Sequence, residues 1–190
     1  MKKQALSLAI GLTLLGAQVQ AAAVTEKATA DGYTLVEQNG AELAYSPESG
    51  VKLLQVDGKV FKDMNRNGKL DAYEDWRLTP QKRAEDLAKQ LSTEDIAGLM
   101  LYSMHQRNLK PQLTDDQKKM LSADHVRTVL NADSTASNEV TAQWNNALQA
   151  YAESLPFAIP AMVTSLPLIT VLNTISFGTV SVVIIAFSAL

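Results

Sequence analysis

The chain has 190 residues, of which 46% are hydrophobic and 19% charged, and its formal net charge at pH 7 is −3. This length is typical of one domain, and mild acidity without a basic cluster argues against a nucleic-acid partner. The sequence has no cysteine and only two histidines, His105 and His125. Disulfides, thiolate metal sites and cysteine nucleophiles are therefore excluded, and a catalytic zinc site built on several imidazoles is disfavoured.

The start of the chain, residues 1–21, has the pattern of a secretory signal peptide. A basic MKK start precedes the apolar run ALSLAIGLTLLGA, and the small residues Val19 and Ala21 suit cleavage after Ala21. The apolar run is short for a membrane anchor. We therefore expect an exported mature protein, periplasmic or secreted.

Residues 22–78, here named the lead-in, have a strand-like pattern. The stretches YTLVEQNGAELAYS and GVKLLQVDGKVFK alternate in places. Each contains a turn signal, Asn39-Gly40 and Asp57-Gly58, that favours a tight hairpin because these residues accept positive φ. The pattern predicts two short hairpins.

The stretch DMNRNGKLDAYE, Asp63 to Glu74, fills every position of the calcium-loop pattern D-x-[DN]-x-[DN]-G-x5-E. Ca²⁺ is a hard cation that takes six to eight oxygen ligands. The candidate ligands are the side chains of Asp63, Asn65, Asn67, Asp71 and Glu74 and the backbone carbonyl of Lys69. The alternative is a simple turn followed by acids that favour a helix start. With no helix predicted before the loop, we expect a structural calcium site and not a sensor.

Four helices and three apolar strands are predicted after the loop. Thr79-Pro80, Ser92 or Thr93, and Thr114 with Gln117 are helix-start signals, and SNEVTAQWNNALQAYAES is the clearest helix. The second segment, STEDIAGLMLYS, opens as a helix, and its end near AGLMLYS is expected to turn into a strand; HVRTVLN and AIPAMVTS are also expected to be strands. Helices that alternate with apolar strands indicate a parallel α/β arrangement.

Three phrases, in the same order, resemble the N-terminal part of glycoside hydrolase family 3, the β-glucosidase-type enzymes. They are VFKDMNRNGKLDAYEDWR, LSTEDIAGLM and WNNALQAYAESLPFAIP, and the resemblance covers roughly residues 51–165. It implies that residues 79–165 form the first part of a (β/α)8 barrel. It also implies a retaining mechanism with two carboxyl groups, acting on a β-linked oligosaccharide or glucoside.

A complete (β/α)8 barrel takes roughly 250 residues. The nucleophile and the acid/base residue of the family would fall beyond this chain, so we assign no catalytic residue. Residues 166–190 continue with LPLITVLNTISFGTVSVVIIAFSAL, which has no charge and could be a frame-shift product or a membrane segment. We expect an inactive N-terminal fragment that is truncated or frame-shifted after about Ser165.

The alternative function is a non-catalytic, exported calcium-binding module tethered to a membrane by residues 166–190. The other polar and aromatic residues have structural interpretations in either case. We expect His105 and His125 at the surface or in packing, Trp76 and Trp144 in the core, and Glu153 in a structural role. Asp124, Asp133 and Glu139 fit ordinary helix or cap positions.

Overall fold

The computed structural model describes residues 23–38 and 40–165. The predicted signal peptide and the apolar segment 166–190 lie outside the described residues. The strands are β1 (Thr25–Ala28), β2 (Thr34–Gln38), β3 (Ala41–Tyr45), β4 (Lys52–Val56), β5 (Lys59–Asp63), β6 (Thr128–Asn131) and β7 (Met162–Ser165). The α-helices are α1 (Pro80–Gln90), α2 (Thr93–Leu99), α3 (Asp115–Ser122) and α4 (Asn138–Ser154), and 3₁₀ turns lie at Pro47–Ser49 and Pro156–Ala158.

The lead-in contains the two predicted hairpins. Strands β2 and β3 are antiparallel with Val36 opposite Leu43, and β4 and β5 are antiparallel with Val56 opposite Lys59. Asp57 and Gly58 connect β4 to β5 with φ of 52° and 71°. Two successive positive φ values match the twist of a two-residue hairpin, which explains the Asp-Gly pair. Strand β1, which the sequence analysis did not predict, adds to the free edge of β2.

The predicted helix starts are confirmed by their caps. The Thr79 hydroxyl accepts a hydrogen bond from the Lys82 N–H, and Pro80 is the first residue of α1. Ser92 and Thr114 form full capping boxes with Asp95 and Gln117. Each cap satisfies backbone N–H groups that a helix start otherwise leaves without a partner.

Strands β6 and β7 form a parallel pair in which Val129 lies opposite Val163. Both strands were predicted. In the segment STEDIAGLMLYS, α2 extends through Leu99, and pairing with β6 begins at the isolated parallel bridge from Tyr102 to Thr128, at the end of the stretch AGLMLYS. The Ser92 capping box starts the helix that forms the first part of this segment.

The main core lies between α4 and the parallel strands. Trp144, Leu148 and Ala152 are fully buried on one face of α4 and belong to the same cluster as Val129 and Ala161. The expected core position of Trp144 is therefore confirmed. A buried Trp or Leu side chain stabilises a fold by roughly 1.5–3 kcal/mol through apolar burial.

A second, smaller core joins the lead-in to the end of α4. It consists of Val51, Met64, Tyr73 and Ala158, with Phe157 packed against it. Tyr73 and Phe157 meet edge to face with ring centroids 6.5 Å apart. Since Met64 and Tyr73 lie inside 63–74, this cluster fixes the calcium-type loop against the rest of the protein.

Candidate metal loop

The first candidate ligand, Asp63, is the last residue of β5 and organises the first half of the loop. Its side chain is buried, with the residue only 1% exposed. Its Oδ1 accepts a hydrogen bond from the Asn67 N–H (N to O 3.0 Å), and its Oδ2 accepts one from the Gly68 N–H (2.9 Å). Gly68 has φ of 74°, which a side chain would strain. The glycine at position 6 therefore lets the backbone turn back onto Asp63.

The two amide ligands, Asn65 and Asn67, repeat this arrangement. Asn65 Oδ1 accepts from the Asn67 N–H (3.1 Å), and Asn67 Oδ1 accepts from the Lys69 N–H (2.7 Å). Such Asx turns mimic backbone turns and fix the side chains locally. Their Nδ2 groups both donate to Asp71 Oδ2, at 2.6 Å and 2.7 Å. A cation at Asp71 would have to displace these two amide groups.

The last candidate ligand, Glu74, is also buried and is 3% exposed. Its Oε1 accepts from the Met64 N–H (2.7 Å) and the Asn65 N–H (3.2 Å), and its Oε2 accepts from the Asp71 N–H (3.0 Å). Burial raises the pKa of Glu74, although these backbone hydrogen bonds act in the opposite direction. One carboxylate thus joins the two ends of the loop.

Hydrogen bonds within the loop link Asp63, Asn65, Asn67, Asp71 and Glu74 and the Lys69 N–H. The negative charge of its acids is not balanced by an ion pair in the described part of the chain. The ion pairs in the described part of the chain are Lys62–Glu153, Arg77–Asp57, Arg77–Asp75 and His125–Asp95. The carboxylates of Asp63, Asp71 and Glu74 take part in none of them. Hydrogen bonds compensate the burial of the Asp63 and Glu74 carboxylates, but they leave the negative charge of the three acids in place, and that charge would favour a cation.

The donor chemistry fits a hard cation only when amide and carbonyl oxygens are included. Within residues 23–38 and 40–165, no three His, Cys, Asp or Glu side chains converge into a metal-holding group. Asp63, Asp71 and Glu74 would therefore need the oxygens of Asn65, Asn67 and Lys69 to complete a shell of the kind that Ca²⁺ takes.

The residues after the loop fix its exit. Trp76 stacks on Phe61 of β5 with ring centroids 5.4 Å apart, and its Nε1–H donates to the Val60 carbonyl (2.9 Å). The Arg83 Nε–H of α1 donates to the Tyr73 carbonyl (2.9 Å). Trp76 was expected in the core; it is instead half-buried and packs against Phe61 beside the loop.

The remaining histidines and acids also have structural surroundings. His105 is exposed, and His125 Nδ1 lies 2.7 Å from Asp95 Oδ1. Asp133 accepts from the Thr135 hydroxyl and N–H and from the Leu109 and Ala136 N–H groups, and these bonds hold its pKa well below the usual range. Glu153 Oε1 lies 3.0 Å from Lys62 Nζ, as expected for a structural acid.

Two contacts of the loop region could not be foreseen from the sequence. The Arg66 guanidinium reaches the end of α4, and Glu153 Oε2 accepts from the Ser46 N–H (2.6 Å). Arg66 and Glu153 are 87 positions apart in the sequence, and Ser46 and Glu153 are 107 positions apart. Such long separations have no local pattern, so only the folded chain shows them.

No helix within residues 23–38 and 40–165 has both the length and the apolar character needed to cross a membrane.

Part of the chain is similar to a known periplasmic enzyme. No protein-family model matches the chain. A periplasmic beta-glucosidase/beta-xylosidase of Dickeya chrysanthemi is 33% identical over 125 residues, which are 62% of this chain and 19% of the relative. The chain thus spans about a fifth of the length of this curated relative. The similarity indicates a relationship to glycoside hydrolases.

Proposed function

We propose that this chain is the N-terminal part of an exported β-glucosidase-type hydrolase of glycoside hydrolase family 3. The observation that carries the proposal is the similarity to the Dickeya enzyme over 125 residues. The family-3 assignment itself rests on the three ordered phrases of the sequence. The class of substrate for the whole enzyme is a β-linked glucoside or oligosaccharide. The periplasmic location of the Dickeya relative supports a periplasmic location for this protein.

The arrangement of the described elements is compatible with the start of a barrel. The segment at Tyr102, β6 and β7 run parallel and in chain order, and α4 covers one face of the β6–β7 pair. Two parallel strands joined through a helix are the building unit of a (β/α)8 barrel. In this proposal the lead-in packs against α4 and supports the first strands, while the catalytic carboxyl groups come from outside this chain.

A chimera tests the hydrolase proposal directly. The matching stretch of the Dickeya enzyme is replaced by residues 51–165 of this chain, and hydrolysis of an aryl β-glucoside and an aryl β-xyloside is measured. We expect a folded chimera that retains hydrolysis, because the replaced part supports the barrel. A folded chimera with no turnover, alongside an active parent enzyme, would contradict the proposal.

We further propose that residues 63–74 bind one structural Ca²⁺. When bound, the ion would supply a positive centre that holds the loop oxygens together. Asp63, Asn65, Asn67, Asp71, Glu74 and the Lys69 carbonyl would be its ligands. The supporting observations are the buried carboxylates of Asp63 and Glu74, the Asx turns of the loop and the absence of a basic partner for its three acids in the described part of the chain.

Glu74→Gln is the sharpest variant for the calcium loop. Loss of one ligand charge should weaken Ca²⁺ binding by about tenfold or more, and the melting temperature in calcium should fall. Isothermal titration and thermal unfolding with calcium or a chelator measure both effects. Glu94→Gln removes an equal charge from an exposed position on α2 and is the matched control. An unchanged calcium isotherm for Glu74→Gln would overturn the ligand assignment.

A further inference from the structure

Arg66 lies at the fourth position of the loop, between two candidate ligands, yet its side chain leaves the loop. One of its terminal nitrogens, Nη2, donates to the Ser49 carbonyl (2.7 Å) and to the Glu153 carbonyl (2.8 Å). The other, Nη1, donates to the Leu155 carbonyl (3.3 Å). The guanidinium therefore joins the loop to two other backbone segments, the turn at Ser49 and the end of α4.

These acceptors include the end of a helix. Glu153 is in the last turn of α4, and Leu155 is its C-cap residue. The last carbonyl groups of a helix have no partner within the helix, and a cation near them is favoured by the helix dipole. Arg66 thus provides hydrogen-bond donors for the Glu153 and Leu155 carbonyls at the end of α4. The same guanidinium also binds the Ser49 carbonyl, in the 3₁₀ turn of the lead-in.

The backbone that positions Arg66 is also the backbone that positions the ligands. Arg66 has φ of 62°, an uncommon value for a residue with a side chain. The next residue, Asn67, holds this conformation because its N–H donates to Asp63 Oδ1 and Asn65 Oδ1. A change in the Asp63–Asn67 geometry would therefore move the guanidinium, and loss of the guanidinium contacts would release the loop.

The same end of α4 carries a second connection to the lead-in. Glu153 Oε1 pairs with Lys62 of β5, and Glu153 Oε2 accepts from the Ser46 N–H. With this connection in place, the last turn of α4 has a fixed position beside the loop. Arg66 consequently binds acceptors whose position is already restricted, so less entropy is lost in ordering the end of α4.

We propose that Arg66 is a positioning residue for the cation site, which couples Ca²⁺ binding in the loop to the docking of the loop on the C-terminus of α4. The inference rests on the proposed calcium site. Because such coupling is reciprocal, an ordered α4 end strengthens Ca²⁺ binding, and bound Ca²⁺ stabilises the α4 end by the same factor.

The direction in which Ca²⁺ affinity changes when Arg66 is removed distinguishes a positioning role from charge repulsion. Arg66 carries a positive charge beside a cation site, so its removal should strengthen Ca²⁺ binding if charge repulsion were its main effect. A positioning role predicts the opposite. Without the Arg66 contacts the loop is less ordered, and part of the free energy of Ca²⁺ binding must be used to order it. Arg66→Ala should therefore weaken Ca²⁺ binding by about fivefold or more.

The test uses the full chain with Ca²⁺ as the probe. Isothermal titration gives the affinity, and hydrogen exchange with calcium or with a chelator gives the protection of backbone amides at residues 151–154. We expect calcium to slow this exchange in the original chain and not in Arg66→Ala. Arg107→Ala is the matched control, because its guanidinium donates to the Ala132 carbonyl away from the loop; it should change neither result.

Arg66→Lys keeps the charge and most of the stem but cannot present the planar fork to three carbonyls. It carries the test if Arg66→Ala does not fold, and its Ca²⁺ affinity should also fall. Equal or tighter binding by the folded Arg66 variants, or unchanged protection of residues 151–154, would overturn the positioning role alone. If the original chain binds no Ca²⁺, the calcium site fails, and the role of Arg66 fails with it.

Discussion

At the scale of single residues, Asp95 combines two roles. Its carboxylate closes the Ser92 capping box and lies 2.7 Å from His125 Nδ1. Burial would raise the pKa of Asp95, but hydrogen bonds from Ser92 and the nearby His125 outweigh it and lower the pKa. The folded state therefore favours the ionised carboxylate, which stabilises the protein above the ordinary aspartate pKa.

Asp95→Asn should lower the free energy of unfolding at pH 7 by about 1–2 kcal/mol, through the weakened cap and the lost contact with His125. The pH dependence has a definite sign. The contribution of Asp95 is present above about pH 4 and is lost as the pH falls through the lowered folded-state pKa. The variant and the original chain should therefore converge in acid.

Urea unfolding at pH 7 and at about pH 3 measures this convergence. Asp115→Asn, which neutralises an exposed acid in the first turn of α3, is the control for a general charge effect. A stability difference between Asp95→Asn and the original chain that stayed constant across this pH range would contradict the assignment.

At the scale of elements, Gly98 determines how closely α2 approaches the turn before β6. A Cβ built at this position would lie 2.6 Å from the His125 backbone carbon and 2.7 Å from the Asp124 carbonyl oxygen. His125 has φ of 55°, so this turn is itself unusual. The helix and the turn can therefore pack only where the helix has no side chain.

Gly98→Ala tests this packing because two effects have opposite signs. Helix propensity alone would make the alanine variant more stable by about 1 kcal/mol. The close contact with the His125 turn should instead make it less stable by about 1–3 kcal/mol. Chemical unfolding decides between them, and Ala97→Gly on the same helix calibrates the propensity effect. A Gly98→Ala variant more stable than the original chain would disprove the packing argument.

At the scale of the whole molecule, apolar side chains around the start of the parallel sheet face solvent. Met104 is 86% exposed, Met100 76%, Tyr102 68%, Leu101 53% and Met162 49%. Large exposed apolar patches promote association between protein molecules. We call these five residues the open face.

The open face should make the chain self-associate as its concentration rises. Met104→Glu places a charge at the most exposed residue of the open face. It should reduce light scattering and the binding of a dye that reports exposed apolar surface, with little change in the free energy of unfolding. Gln112→Glu adds the same charge at an exposed polar position and is the matched control. Equal self-association of Met104→Glu and Gln112→Glu would show that the open face is not responsible.

Local patterns in the sequence were sufficient to predict most elements of the described structure. Both hairpins, the capped helices and strands β6 and β7 follow from short-range signals such as Asp57-Gly58 and the Thr114–Gln117 box. The residue within AGLMLYS at which the helix ends and the extended segment begins was not predicted, because a short apolar stretch gives the same signal for the end of a helix and the start of a strand. The spacing of oxygen side chains in 63–74 likewise follows from the sequence alone.

The sequence by itself established that the protein has no cysteine and was enough to predict export. It also supplied the candidate ligands and the resemblance to a glycosidase. Only the tertiary structure decided what the loop touches. Arg66 on the α4 carbonyls, Glu153 between Lys62 and Ser46, and Gly98 against His125 are contacts between distant parts of the chain. They depend on how amphipathic elements pack to bury apolar surface, and that packing leaves no periodic or local signature in the order of the residues.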